Sequence, residues 1–150
     1  VAAGAKGVML NHCEKPVSLA ALHKTIQRAD EVGLASIVCT DSIREAAAVA
    51  LLGPNIIVAE PTELIGTGQT SDMDYVQASI RAGKDINPDI FVLKGAGIST
   101  GEDVYRVIRA GAEATGSSSG VVNAADRAAM IDEMIGAVRR ALDERQKEAV

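Results

Sequence analysis

Ile56-Ile57-Val58-Ala59-Glu60-Pro61-Thr62-Glu63-Leu64-Ile65-Gly66-Thr67-Gly68 is the stretch on which the fold turns. Its first four residues are short, apolar and largely β-branched, the signature of a strand buried on both faces. Glu60 closes that run. A carboxylate at the end of a buried strand is poorly explained by packing alone. Pro61 fixes the exit of the chain, and Gly66 and Gly68 supply backbone that can approach an anion closely. A base at a strand end followed by a glycine-hinged lid suits proton abstraction with water kept out. Read without that chemistry, Glu60 is a surface carboxylate in an ordinary loop.

Outward from this segment, short apolar runs alternate with longer helical patterns. The other runs are Gly7 to Leu10, Ile37 to Cys39, Phe91 to Leu93, and a weak one at Ala114 to Ser117. Helices are expected over Leu19 to Val32, Ile43 to Leu52, Asp72 to Ile86, Glu102 to Ala110, and from about Ala124 to Glu144. Ser18 and Asp41-Ser42 are placed to cap the first two helices, and Gly33 to end the first in a left-handed residue. Gly53-Pro54 and Asn87-Pro88-Asp89 are stop signals. Such repetition gives parallel strands joined by right-handed crossovers. Two architectures satisfy it, an open doubly wound sheet or part of a (β/α)8 barrel. A closed barrel needs at least ~200 residues, so 150 residues with five strands cannot complete one.

Composition agrees. Apolar residues make up 47% of the chain but aromatics only 2%, so Ala, Val, Ile and Leu must build the core. That favours parallel strands under Ala-rich helices. The net charge of -5, with no basic stripe or aromatic platform, argues against a nucleic-acid partner. No apolar run approaches the ~18 residues of a membrane span, and the N-terminus carries no signal-peptide pattern. Cys13 and Cys39 read as reduced, mostly buried thiols of a cytoplasmic protein. Val1 in place of an initiator Met suggests that the natural protein begins upstream.

In a parallel α/β fold the chemistry sits at the carboxyl ends of the strands. Those positions carry Asn11-His12-Cys13-Glu14, Glu60, Gly95-Ala96-Gly97-Ile98-Ser99 and Ser117-Ser118-Ser119-Gly120. The two small-residue loops suit a phosphate. Gly95-Ala96-Gly97 begins a dinucleotide fingerprint, but Thr100 stands where its third Gly belongs. Gly116-Ser117-Ser118-Ser119-Gly120 matches G-x-S-x-G, yet no His follows it in the chain, so a hydrolase triad fails on order. His23 falls on a helix face and is read as structural or solvated. Lys94, charged at the end of a buried strand, requires a partner or solvent.

Taken together these residues resemble the triosephosphate isomerase family in its shorter archaeal form. The matching stretches are Gly7 to Glu14, Val38-Cys39-Thr40, Glu60 to Gly68, Gly95 to Ser99 with Gly101-Glu102-Asp103, and Ser119-Gly120-Val121-Val122. The likeness implies an incomplete TIM barrel, residues 1–150 forming one partial domain that corresponds to strands four to eight. It implies Glu60 as the base, His12 as the electrophile, and Glu14 and Asn11 as supporting residues behind them. Ile65 and Gly66 in the lid, Gly97, and Ser118 with Ser119 would hold the phosphate of a triose phosphate. It implies no cofactor and no metal, and a homo-oligomer, tetramer or dimer, for the full-length protein. The family's Asn-x-Lys segment has no match here; Lys6 lies at the wrong strand end, and the family does not use a lysine at Lys94. The chain alone is therefore expected to be inactive. A pentose-phosphate epimerase or a non-catalytic sugar-phosphate scaffold are the competing expectations.

Overall fold

The computed structural model describes residues 1–61 and 72–148. Five parallel strands form one sheet in chain order: β1 (Gly7–Leu10), β2 (Ala35–Thr40), β3 (Ile56–Ala59), β4 (Phe91–Lys94) and β5 (Ala114–Thr115). Between them run α1 (Leu19–Glu31), α2 (Ile43–Ala50), α3 (Met73–Lys84) and α4 (Gly101–Arg109). After β5 come a short α5 (Ser119–Val122) and a long α6 (Arg127–Glu148). Consecutive strands pair in register, as in Cys39 with Val58 and Leu93 with Ala114. Among the described residues β1 and β5 are the edges of an open sheet, so the architecture is an incomplete (β/α)8 barrel.

Local chemistry explains the elements. Ser18, Ser42 and Asp72 cap α1, α2 and α3 by accepting backbone N–H groups of the first turn. At α4, Thr100 and Asp103 form a reciprocal capping box. Strand residues alternate between two environments. Ile57, Ala59 and Val38 pack beneath helices against Leu22, Ile26 and Val49. Val58 and Leu93, of opposite parity, face the barrel axis and line the cleft described below. A second cluster joins α4 and α6, where Ala137 and Ala141 bring the helices close over Val104 and Ile108. Among the described residues, no helix is long and apolar enough to cross a membrane.

The structure departs from expectation near the end of the chain. The fifth strand is two residues long instead of four, because Ser117 turns away to donate its hydroxyl to the Ile98 carbonyl at 2.6 Å. Ser119-Gly120-Val121-Val122 is a helical turn that the sequence reading left within a loop. The last helix starts at Arg127, where Asp126 accepts the Ala129 N–H at 3.0 Å, and runs on to Glu148. Cys13 is exposed, which corrects the expectation of mostly buried thiols; Cys39 is buried and both are free.

Candidate active site

His12 is delivered by a strained residue. Asn11, the first residue after β1, has φ 56, a left-handed conformation that Asn tolerates better than most side chains. Its amide anchors the turn in three places. Nδ2 donates to the Cys39 carbonyl at 3.0 Å and to Glu45 Oε1 at 3.1 Å, and Oδ1 accepts the Val17 N–H at 2.9 Å. The imidazole that follows lines the cleft above β1–β5. The Glu14 N–H points at His12 Nδ1 from 3.4 Å, a contact that suits the tautomer with its proton on Nε2. The Glu14 carboxylate lies 3.6 Å from the same nitrogen but is 86% exposed, so its hold on the ring is weak.

Glu60 follows β3, with its N–H bonded to the Thr40 carbonyl at 3.0 Å. Burial raises the proton affinity of its carboxyl group above the usual carboxylate range. Lys94, His12 and the backbone N–H groups of Ala96 and Gly95 oppose that rise by favouring the charged form. The contact with Gly95 is close enough to explain the residue type: a Cβ there would lie 2.3 Å from Glu60 Oε1. Only glycine leaves the carboxylate where it is.

Opposite them lie two loops in mutual contact. Gly97 has φ 76, and a Cβ on Gly120 would meet Ser117 Oγ, Ser99 Cα and the Ile98 oxygen, all within 2.9 Å. Thr115 Oγ1 ties the second loop to the Lys94 carbonyl at 2.7 Å. Ser118 and Ser119 are exposed at the start of α5, whose N-terminus has no side-chain cap. The first amides of the α4 approach are occupied: Ser99 and Thr100 donate to Asp103, and Gly101 donates to Glu133 at 2.7 Å.

Of the residues expected from sequence, His12, Glu60, Gly97, Ser118 and Ser119 share one cleft of about 320 Å³. Asn11 lines the neighbouring hollow with Asp41 and Glu45. Glu14 lies at the solvent edge beside His12, and His23 is exposed on α1. Ile65 and Gly66 lie outside the described residues. The sequence reading passed over Glu45, which accepts from Asn11 and, at 2.6 Å, from the Asp41 N–H. It also left Lys94 without a role. That side chain is 3% exposed and bonded to the Ala59 carbonyl.

The model of the triosephosphate isomerase family matches residues 1–134. This chain belongs to that family. A triosephosphate isomerase of Methanothermus fervidus is 41% identical over 136 residues, covering 89% of this chain and 61% of the relative. One from Methanocaldococcus jannaschii is 44% identical over 135 residues, covering 88% and 62%. The chain thus spans about three fifths of the length of the curated triosephosphate isomerases it matches. Solved structures with a similar fold include a thiamine phosphate pyrophosphorylase from Pyrococcus furiosus, at TM-score 0.69 and 17% identity over 92% of this chain and 61% of that one. A 3-hexulose-6-phosphate synthase aligns at TM-score 0.66 and 20% identity over 91% and 64%. At those identities the likeness is one of fold, and it agrees with the incomplete barrel.

Proposed function

We propose that this chain carries the proton-transfer centre of a triosephosphate isomerase, interconverting dihydroxyacetone phosphate and D-glyceraldehyde 3-phosphate. The carrying observation is that His12 and Glu60 share the rim of a cleft whose other wall is Gly97 and the Ser118-Ser119 turn. Glu60 takes a proton from the carbon beside the substrate carbonyl, and the C–H electrons pass to the carbonyl oxygen as an enediolate. His12 Nε2–H donates to that oxygen; a neutral imidazole in this role is a known feature of this enzyme. Glu60 returns the proton to the former carbonyl carbon, while His12 relays the hydroxyl proton from the neighbouring oxygen to the former carbonyl oxygen. A new carbonyl thus forms on the neighbouring carbon, and the proton count balances. No redox partner enters.

Burial makes Glu60 a stronger base than a solvated carboxylate, which brings its proton affinity closer to the working pH. The phosphate sits against the loops after the last two strands and the start of a short extra helix, a recurring location in barrels of this class. Asn11 holds the turn that aims His12, and Glu14 contributes its backbone N–H to the ring's tautomer. The amides of Ile65 and Gly66 are assigned to the phosphate by family likeness. The residues correspond to barrel strands four to eight, and the active protein is a cytoplasmic homo-oligomer.

The test is isomerase turnover by the chain alone and after addition of the N-terminal segment of the Methanothermus fervidus relative. Activity is expected only in the complemented protein. There, Glu60→Asp, which retracts the carboxylate by one methylene, should lower kcat by ~10²-fold. Unchanged kcat in that variant removes Glu60 from the base role.

A further inference from the structure

We propose that Lys94 is a positioning residue for Glu60, pinning the peptide that leads into it and supplying a buried counter-charge to its carboxylate. This rests on the assignment of Glu60 as the base.

Lys94 is the last residue of β4, and its parity with Val92 turns the side chain to the helix side of the sheet, where it is 3% exposed. The β3–β4 ladder runs as far as Val58 with Leu93. One position further on, the Lys94 ammonium bonds to the Ala59 carbonyl, the oxygen of the Ala59–Glu60 peptide. It also donates to Ser79 Oγ at 3.2 Å and lies 4.9 Å from the centre of the Tyr75 ring on α3. The next two residues reach the same glutamate from the other end, since the backbone N–H groups of Gly95 and Ala96 favour its charged form. Three consecutive residues therefore hold Glu60, by its peptide from behind and by its carboxylate from the cleft.

A buried ammonium is unfavourable unless it is paired and bonded. An apolar side chain would fill the space beneath α3 without that cost, so the charge calls for a reason. Glu60 supplies it. Burial lowers the proton affinity of the ammonium and the negative charge of Glu60 raises it; burial prevails, leaving the group at about 8. The reciprocal effect on Glu60 is the largest of those that favour its ionised form. Among the described residues, the other titratable groups around the pair are His12 after β1, Cys39 on β2 and Tyr75 on α3. The lysine does not line the cleft, which sets it apart from a nucleophilic, imine-forming amine.

The experiment titrates both partners by NMR in the full chain, with ¹³C-carboxyl glutamate and ¹³Cε lysine, and assigns the signals with Glu60→Gln and Lys94→Met. In Lys94→Met the Glu60 midpoint should rise by about one pH unit, a tenfold gain in proton affinity. Lys94→Gln, which keeps a donor but no charge, should give a similar rise. In Glu60→Gln the Lys94 midpoint should fall by about the same amount. A purely structural lysine moves neither. If the Lys94 variants fail to fold, the Glu60→Gln arm decides alone, because that change lies at the cleft and leaves the lysine's packing intact. Midpoints that stay within about 0.2 units overturn the proposal. In the complemented protein, Lys94→Met should also shift the acid limb of kcat/KM upward with KM unchanged. Full turnover by Glu60→Gln would instead refute the base assignment, whichever way the titrations fall.

Discussion

Replacing Gly95 with alanine tests the placement of the base more sharply than replacing the base. The new methyl group would lie 2.3 Å from Glu60 Oε1, while its next neighbours, the Gly116 oxygen and Leu93 Cδ2, are at an ordinary 3.4 and 3.5 Å. The conflict is with the carboxylate alone, which must withdraw by about 1 Å to restore normal contact. Gly95 does not have a positive φ, so alanine adds no backbone strain. The carboxylate can yield by rotating its side chain, and the fold should be unaffected. Catalysis should not be. Misplacing a reacting group by 1 Å costs ~10²-fold in rate, or about 2.7 kcal/mol of barrier. Gly95 opens one of the phosphate loops, but the new methyl group meets none of Gly97, Ser118 and Ser119 among its nearest neighbours, so the loss falls on kcat more than on KM. Steady-state kinetics of the complemented protein in both directions, with urea unfolding of the same samples, measures both quantities. A Gly95→Ala protein whose kcat stays within about twofold of the parent would mean that Glu60 does not act from the position it occupies here.

The ammonium of Lys94 is held down to about 8 in the folded chain against an ordinary 10.5, so between those values the unfolded chain binds more protons. The parent should therefore gain stability relative to Lys94→Met as pH rises from 8 to 10.5, read from urea midpoints; a flat difference contradicts it. Burial, with Glu60 second, pushes the Cys39 thiol up to about 11, whereas Cys13 is exposed. A maleimide at pH 7.5 should label Cys13 in the native chain and Cys39 only after denaturation, as mass spectrometry of the peptides will show. Thr100→Ala removes the capping box of α4 and should cost about 1 kcal/mol of unfolding free energy.

The alternation of strands and helices is legible because each strand is a short, largely apolar run followed within two residues by Asn, Asp, Pro or Gly, and each early helix opens on a Ser or Asp cap. The candidate site is legible for a related reason. Its groups sit on strand ends, and chain order places strand ends together in a parallel sheet. What escaped depends on partners distant in sequence. Lys94 is odd in any local reading, but its partners Ala59 and Ser79 are 35 and 15 residues away. The last turns of α6 are held by Arg109 on Glu148 at 2.7 Å and by Arg145 on the Ile108 and Ala112 carbonyls. No periodicity in α6 itself announces those contacts. Its start was legible after all, since Asp126 is a cap of the ordinary kind. The helical turn at Ser119 to Val122 was obscured by two valines, whose local preference is for extended backbone.

The occupied amides at the start of α4 bear on how an anion reaches this protein. Asp103 and Glu133 already answer the positive pole of that helix, and the chain as a whole carries a charge of -5. At a distance, a doubly charged ligand meets repulsion rather than a guiding field, and attraction begins only within reach of individual backbone dipoles. Added salt screens the long-range component and leaves the short-range one largely intact. Capture of a phosphate ester should therefore quicken, not slow, as ionic strength rises from low values.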